Sequence, residues 1–359
     1  MSKIRVAIAG VGNCASALIQ GVEYYRDIPI ENDVPGIMHA TFGEYHIKDI
    51  QFVAAFDVNR DKIGKDLSAA IFAGSNNCAK ISDVPYLGVQ VSPAPTLDGV
   101  PKHMTESFQP YQDEEVGLED IVSILKESEA DMLVNYLPVG SRKATRFYAQ
   151  AALKADCAFI NCIPEFIASN PKWNKKFERK GLPVAGDDIK SQLGATILHR
   201  KMVELCMNRG VKVDETYQLN LGGNTDFLNM TVEDRLKSKR VSKTEAVTSL
   251  IPYHVPTRIG PTDYVQFLGD KKICHILING RKFGDQPVSI RARLEVEDSP
   301  NSAGVVVDVI RAVKMALNRK IAGSLTSISS YAFKHPPNQV PDSTAKLWVE
   351  EYIRGKRRR

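Results

Sequence analysis

The sequence predicts an α/β fold, with a doubly wound parallel sheet followed by a second domain of the α+β class. Residues 4–9 (IRVAIA) and 50–58 (IQFVAAFDV) are apolar runs with β-branched side chains, typical of strands buried on both faces. Up to residue 186 such runs alternate with helical patterns, the order that produces a parallel sheet. After residue 186 the pattern changes, and later strand-like stretches predict an antiparallel sheet with one face open to water.

The elements of the first domain follow this alternation in order. The first strand leads into GVGNCASALIQGVEYY, a glycine turn that opens a helix. Further strands are predicted at 50–58, 89–92, 131–137, 157–161 and 182–186. Helices are predicted between them at 61–72, 118–127, 141–154 and 172–179. Two insertions, 27–49 and 93–117, are rich in proline and polar residues, and loops of that length are commonly functional or disordered.

The second half begins with a long helix predicted at 187–210. Strand-like stretches follow at 213–223, 273–280 and 288–298. A final long amphipathic helix is predicted at 303–320, and the tail after it is expected to return to the first domain.

Composition argues against several classes of protein. The formal net charge of +5 is too small for a dedicated nucleic-acid binder, and four cations lie in the terminal GKRRR. The six cysteines form no Cys-x-x-Cys pair, which indicates a reducing compartment, and no Cys/His cluster typical of structural zinc is visible. No apolar stretch approaches the roughly 20 residues of a membrane span. We therefore expect a cytoplasmic protein that binds neither nucleic acid nor membrane.

A dinucleotide site is predicted where the first strand ends. Gly10-x-Gly12-x-x-Ala15 stands between a strand and a helix, where glycines allow a tight turn and close approach of a pyrophosphate to backbone N–H groups. Asp57 closes the next strand, where a carboxylate binds ribose hydroxyls and selects NAD over NADP. The insertion at 27–49 explains its unusual distance from Gly10. A plain βα turn with a solvated aspartate is the weaker interpretation.

The segment GDDIKSQLGAT (186–196) allows two interpretations of equal weight. A helix N-terminus with nearby serine and glutamine side chains suits a phosphate ester. The same residues also suit an ordinary N-cap by Asp187 or Asp188 with an acidic first turn.

A cationic segment follows a polar glycine turn that contains Asn224 and Asp226. Lys239 and Lys243 stand four residues apart, so a helix would place both on one face. By itself, this pattern favours a solvated basic face over a site, and Lys272, Asp298 and Lys334 are unremarkable in isolation.

Taken together, these stretches resemble the myo-inositol-1-phosphate synthase family, in its shorter bacterial and archaeal branch. The resemblance runs nearly end to end, excluding the basic tail. The sequences that carry it are VGNCAS, QGVEYY, VPGIMHATFGEYHIKDIQFVAAFDV, NYLPVGS, FINCIPEFIAS, GDDIKSQLGAT, LNLGGNTDFLNM, SKRVSKTEAV and EDSPNSAG.

The resemblance implies an NAD-dependent isomerase of inositol biosynthesis that converts glucose 6-phosphate to myo-inositol 3-phosphate. In the family, carbon 5 is oxidised, carbon 6 loses a proton, the enolate attacks carbon 1, and the ketone is reduced again. It also implies a homotetramer assembled through the second domain's sheet. The expected domains are a Rossmann NAD-binding domain (1–200 with 311–359) and a catalytic and tetramerisation domain (201–310). A divalent or monovalent cation is a further candidate cofactor of unknown identity.

The resemblance also implies roles for individual residues. The catalytic candidates are Lys239, Lys243, Lys272, Lys334, Asp226 and Asp298. The phosphate-side candidates are Ser191, Gln192, Gly194, Thr196, Asn220 and Asn224. The cofactor-side candidates are Gly10, Gly12, Asn13, Asp57, Asn135, Asp187, Asp188 and Ser299. Clustered lysines suit this chemistry because phosphate, enolate and alkoxide are anionic and because crowded cations depress one another's pKa.

Two rival functions share this architecture. The first is an NAD-dependent dehydrogenase of a phosphorylated sugar or a related small molecule, but no dehydrogenase motif stands out beside the rich lysine set. The second is a noncatalytic NAD-binding sensor or scaffold, which would not need several lysines to converge.

Overall fold

A computed structural model describes residues 3–29, 34–101, 104–105, 108–112, 115–232 and 235–359 of the chain. Its strands, in chain order, are β1 (Ile4–Ala9), β2 (Thr41–Phe42), β3 (Tyr45–His46), β4 (Ile50–Asp57), β5 (Val91–Pro93), β6 (Met132–Asn135), β7 (Ala158–Asn161), β8 (Pro183–Gly186), β9 (Lys212–Gly222), β10 (Thr257–Tyr264), β11 (Lys271–Arg281), β12 (Pro287–Glu297) and β13 (Gly323–Ser324). Its α-helices are α1 (Asn13–Tyr24), α2 (Leu67–Ala70), α3 (Leu118–Glu127), α4 (Arg142–Lys154), α5 (Pro171–Lys180), α6 (Ala195–Asn208), α7 (Thr225–Asn229), α8 (Lys237–Thr248), α9 (Asp298–Asn318), α10 (Thr326–Ala332) and α11 (Asp342–Ile353).

The larger sheet is parallel throughout, in the order β13-β8-β7-β6-β1-β4-β5. The chain runs outward from β1 to β4 and β5 on one side, and then outward from β6 on the other. The strand order therefore reverses between β1 and β6. Ligands of open parallel sheets bind at the carboxyl edge beside such a reversal, so the fold points to this edge as the site.

Both faces of the larger sheet are covered by helices. On β1, the side chains of Ile4, Val6 and Ile8 join one apolar cluster, while Ala7 and Ala9 join the other. The first cluster includes side chains of α1, α9, α10 and α11, and the second those of α3, α4 and α5. This double burial explains why the strands read as continuous apolar runs.

The smaller sheet has the order β10-β9-β11-β12, in which β9, β11 and β12 are antiparallel and β10 runs parallel to β9. One face is covered by α6 and α8, where Val203 and Val247 pack against Cys274 and Ile276 of β11. Along β9 the side chains alternate between buried and half-buried, as expected when only one face is covered.

The predicted alternation of strands and helices up to residue 186 is confirmed, but several predicted boundaries are wrong. The helix predicted at 61–72 is reduced to Leu67–Ala70, capped by Asp66. The helix predicted at 187–210 begins only at Ala195, because 187–194 is an irregular segment that ends at the N-cap Gly194.

The second half also differs in detail. Strand β10 was not predicted, and it makes the smaller sheet mixed and not purely antiparallel. The helix predicted at 303–320 begins at Asp298, and most of its side chains are buried, so it is a core helix and not an amphipathic surface helix. The tail adds α10 and α11 and returns to the larger sheet, where β13 pairs with β8. The domain boundaries at 200 and 310 stay a prediction.

Candidate active site

A cavity of about 300 Å³ opens at the carboxyl edge of the larger sheet and is lined by residues of both halves of the chain. This is the position expected from the reversal of strand order between β1 and β6. Candidate residues that line it are Gly10, Gly12, Asn13, Asp57, Ser191, Asn224, Asp226, Lys239, Lys243, Lys272, Asp298, Ser299 and Lys334. The structure thus brings the glycine turn and the four candidate lysines to one cavity.

The glycine turn between β1 and α1 has the geometry of an anion site. Gly10 has φ +92°, and a Cβ there would lie 2.8 Å from the backbone oxygen of Tyr136, so only glycine fits without strain. Gly12 is the N-cap of α1 and has no side chain to occupy the N–H groups of the first turn. Those donors and the helix dipole favour a bound anion at this end of the cavity.

Asp57 ends β4 beside this turn. Its Oδ2 accepts a hydrogen bond of 2.7 Å from the Val11 amide, and its Oδ1 accepts bonds of 2.8 Å from the amides of Val58 and Asn59. Lys62 Nζ lies 3.9 Å from Asp57 Oδ2 and donates to the Val11 oxygen at 2.7 Å. These contacts fix the carboxylate against the turn at the edge of the cavity.

Asp188 is a buried carboxylate at the centre of the lysine cluster. Its Oδ1 lies 2.9 Å from Lys239 Nζ and 3.0 Å from Lys334 Nζ, and Ser242 Oγ donates to its Oδ2. Burial raises the pKa of Asp188, but the two lysine charges and these hydrogen bonds outweigh burial and hold the pKa well below its ordinary range. Asp188 therefore stays ionised and orients two lysine side chains.

The lysines of the cluster differ in their protonation. Burial lowers the pKa of Lys239, yet Asp188 and Asp226 more than offset this, so its pKa is raised. Lys243 is more deeply buried than Lys239, and its ammonium group has no hydrogen-bond acceptor within the described ranges. Burial together with Lys272, Lys239 and Lys334 lowers its pKa well below the ordinary value. For Lys334 the same causes lower the pKa to about 8, despite its contact with Asp188. Within the cluster the pKa of Lys239 is thus raised, whereas the pKa values of Lys243 and Lys334 are lowered.

A second ion pair lies across the cavity. Lys272 Nζ, on β11, is 3.0 Å from Asp298 Oδ1, the first residue of α9. Burial raises the pKa of Asp298, but Lys272 outweighs it and the net pKa is lowered. Asp226, in the first turn of α7, accepts a bond of 3.3 Å from the Val139 amide. These carboxylates balance part of the lysine charge.

The sequence is similar to curated proteins along its whole length. It is 52% identical over 360 residues to the inositol-3-phosphate synthase of Mycolicibacterium smegmatis (strain ATCC 700084 / mc(2)155), with 98% of each chain covered. The chain belongs to the myo-inositol-1-phosphate synthase family. The inositol-3-phosphate synthase of Corynebacterium glutamicum is also 52% identical over 360 residues, with 98% of each chain covered. The model of the family, described as Myo-inositol-1-phosphate synthase, matches residues 194–299.

A solved structure agrees with this membership in the myo-inositol-1-phosphate synthase family. The fold superposes on a myo-inositol-1-phosphate synthase-related protein from Thermotoga maritima with a TM-score of 0.83, at 26% identity and 98% coverage of both chains. The Rossmann-type α/β class predicted from the sequence is therefore confirmed.

Several candidate residues in this family member do not line the cavity. Asp187 is fully buried and points away from the lysines: its carboxylate accepts bonds from Asn161 and from the 167–169 backbone. Burial raises its pKa. Asn135 is likewise buried, and its Nδ2 donates to Thr145 and Asn161. Adjacent aspartates thus point in different directions, and only Asp188 reaches the lysines.

The phosphate-side candidates are also separated. Ser191 lines the cavity, and Gly194 is the N-cap of α6 without a side-chain cap. Thr196 is buried in the first turn of α6, whereas Gln192 Nε2 donates to the Gly36 oxygen at 2.9 Å. Asn220 is buried and donates to the Gly260 oxygen at 2.9 Å.

Sequence reasoning missed Asp270, which links the start of α1 to the N-terminal ends of α7 and α9. Its Oδ1 accepts hydrogen bonds from Asn224 Nδ2 at 3.0 Å, Ser299 Oγ at 2.9 Å and Asn13 Nδ2 at 3.3 Å. Burial raises its pKa to about 6. In the sequence it stands in an ordinary GDKK turn, and its three partners come from distant parts of the chain.

Across the described ranges, no group of three or more His, Cys, Asp or Glu side chains is placed to hold a metal ion. In the same ranges, every helix is either too short or too polar to cross a bilayer.

Proposed function

We propose that the chain is an inositol-3-phosphate synthase, an isomerase that converts D-glucose 6-phosphate to 1D-myo-inositol 3-phosphate with NAD. One observation carries the proposal: a single cavity joins the Gly10–Gly12 turn to four lysines, among which the pKa of Lys239 is raised and that of Lys243 is lowered. A dehydrogenase needs only one general base, whereas a cyclase must also stabilise an enolate and an alkoxide.

The cofactor end fits NAD. We propose that the N–H groups after Gly12 bind the pyrophosphate and that Asp57 binds the ribose hydroxyls. The hydrogen bonds that hold Asp57 fix it at this end of the cavity. When bound, NAD accepts a hydride from carbon 5 of the sugar and later returns it, so the reaction is redox-neutral.

The lysine end suits the remaining steps. Lys243, which is buried and has a lowered pKa, takes the proton that leaves carbon 6. Lys239, kept charged by Asp188, stabilises the negative charge on the enolate oxygen. Attack of carbon 6 on the carbon 1 aldehyde then forms the ring, and Lys334 or Lys272 donates a hydrogen bond to the alkoxide that develops.

We propose that the phosphate binds on the side of the cavity lined by Ser191, which lies three residues before the N-cap of α6. Gly194 leaves the first N–H groups of α6 without a side-chain cap. A dianionic phosphate there also gains from the lysine charges. Of the other phosphate-side candidates, only Asn224 lines the cavity.

The oligomer is proposed to be a tetramer built through the open face of the smaller sheet. On this face Tyr217, Leu219 and Leu221 of β9 and Ile273 and Leu277 of β11 are only half-buried. Contiguous apolar side chains of this kind favour burial by a second copy. We further propose a cytoplasmic location, supported by six free cysteines.

The experiment that tests the function is incubation with glucose 6-phosphate and a small amount of NAD. We expect inositol phosphate in excess of the NAD added, identified by phosphorus NMR, with no growth of NADH absorbance. NADH formed in proportion to the sugar consumed, without inositol phosphate, would establish the dehydrogenase instead.

A further inference from the structure

Residues 95–101 form a strap along the cavity of this family member. They follow β5, whose last residue, Pro93, pairs with Asp57 at the carboxyl edge of the sheet. Every residue of the strap lines the cavity. Any dinucleotide that reaches Asp57 therefore lies beside this strap.

The strap is anchored at Asp98 from two sides. The carboxylate of Asp98 accepts hydrogen bonds of 2.9 Å from the amides of Lys143 and Ala144, in the first turn of α4. The backbone oxygens of Asp98 and Gly99 both accept hydrogen bonds of 3.0 Å from Arg235 Nη2. The first anchor is α4, which packs on the larger sheet. The second anchor is Arg235, which immediately precedes the helix that carries Lys239 and Lys243.

The side chain of Arg235 packs against a glycine. Gly140, in the loop after β6, has φ +89°, and a Cβ there would lie 2.8 Å from Arg235 Cγ. The stem of Arg235 therefore packs directly on the Gly140 backbone. Two residues later α8 begins, with Lys239 and Lys243 in its first two turns. One side chain thus joins the strap, the loop after β6 and the lysine helix.

We propose that Arg235 is a positioning residue that retains the cofactor by holding the 95–101 strap across the cavity. The inference rests on the proposed function, in which the reduced cofactor must stay until the ring has closed. If NADH left early, glucose 6-phosphate and NAD⁺ would give the 5-keto sugar phosphate, NADH and a proton, and the ketone could not be reduced again. A latch at this place keeps the two hydride transfers coupled.

The test compares Arg235→Ala and Arg235→Lys with the control Arg293→Ala. Arg293 pairs with Glu295 on β12 and does not line the cavity. The dissociation rate of NADH is followed by its fluorescence in the full chain without sugar, and the NADH released per inositol phosphate is measured during turnover. Loss of two hydrogen bonds from a charged donor predicts dissociation faster by about tenfold or more in Arg235→Ala. Arg235→Lys should be intermediate because one ammonium matches two carbonyls less well.

A role in cofactor retention differs from a role in substrate binding. The latch predicts that KM for glucose 6-phosphate, at saturating NAD, stays within about twofold of the parent while NADH leaks. A raised KM with unchanged NADH dissociation would overturn the latch and make Arg235 a substrate ligand. Unchanged dissociation and unchanged leakage in folded Arg235→Ala would overturn it as well.

A second variant guards against misfolding of Arg235→Ala. Gly140→Ala keeps the arginine at position 235, but the added Cβ would displace the Arg235 side chain. This variant should therefore also accelerate NADH dissociation. A parent that binds no NADH would overturn both proposals. A third outcome separates the two proposals. If the parent makes no inositol phosphate but Arg235→Ala still releases NADH faster than the parent, the synthase function is wrong and the proposed role of Arg235 is retained.

Discussion

Lys239 and Asp188 form a buried ion pair, with 2.9 Å between Lys239 Nζ and Asp188 Oδ1. The pair joins α8 to the segment after β8 and keeps Lys239 charged. Lys243, one turn further along α8, has no such partner in the described part of the chain, and burial and its charged neighbours lower its pKa well below the ordinary value. The spacing of four residues thus places a lysine of raised pKa beside one of lowered pKa.

Replacement of Asp188 by asparagine should damage both stability and catalysis. Two buried ammonium groups would lose their counter-charge, which costs about 3 kcal/mol of unfolding free energy. The rate constant kcat/KM should fall by about 100-fold or more, since the orientation of two lysines is lost. Urea unfolding and steady-state kinetics measure the two effects. Asp187→Asn should reduce stability through the 167–169 loop without a direct loss of lysine orientation, and equal kinetic losses in both variants would contradict the assignment.

Lys239→Ala and Lys243→Ala should each leave the chain folded and lower kcat/KM by about 100-fold or more, because each removes a group placed to act on the transition state. Lys237→Ala is the matched control, since Lys237 lies in the same helix but is exposed. It should change unfolding free energy by less than about 0.5 kcal/mol and leave activity intact. Mild and equal kinetic effects in all three variants would instead support the interpretation of this segment as a solvated basic helix face.

Lys334 should make stability depend on pH in the alkaline range. Its pKa is lowered from 10.5 to about 8 in the folded chain. Between these values the unfolded chain binds more protons than the folded chain, so this group's contribution to stability rises as pH increases from 8 to 10.5. Lys334→Met should flatten that rise, as measured by urea unfolding at several pH values. An identical slope in parent and variant would show that Lys334 titrates normally.

Asp57→Ala should narrow the preference for NAD over NADP. The carboxylate repels a 2′-phosphate, and Lys62, with Nζ 3.9 Å from Asp57 Oδ2, would then attract one. The variant also loses the hydrogen bond to Val11, which weakens binding of both cofactors. The deciding quantity is therefore the ratio of the two Kd values from calorimetry. A ratio equal to that of the parent would place Asp57 away from the ribose.

Local signals correctly predicted the strand, the glycine turn and the helix around Gly10 and Gly12. The turn at Gly10 and Gly12 depends on neighbours within a few residues, and a strand before it and a helix after it are both strong patterns. The strand Thr257–Tyr264 was missed because it contains Gly260 and Pro261, which argue against a strand. It is tolerated because β10 is an edge strand with a single partner.

The catalytic end could be named only through family resemblance. Lys272 and Lys334 lie 62 residues apart in the sequence, and no local pattern brings them together. The opposite directions of Asp187 and Asp188 depend on the backbone at Asp188, whose φ of +63° no composition argument reveals. Asp270 was missed because its hydrogen-bond partners come from three separate segments of the chain, and no local pattern around Asp270 indicates them.

Helix α9 begins at Asp298 beside Lys272 and continues as a buried helix through the core of the larger sheet. Its first residue pairs with Lys272 in the cavity, while its middle is covered by α1 and by the strands. A fragment that ends at residue 200 would therefore lack a central part of its own interior, and a fragment limited to 201–310 would lose the wall against which α9 is held. The two halves consequently depend on each other to fold, and the chain should melt in one cooperative transition.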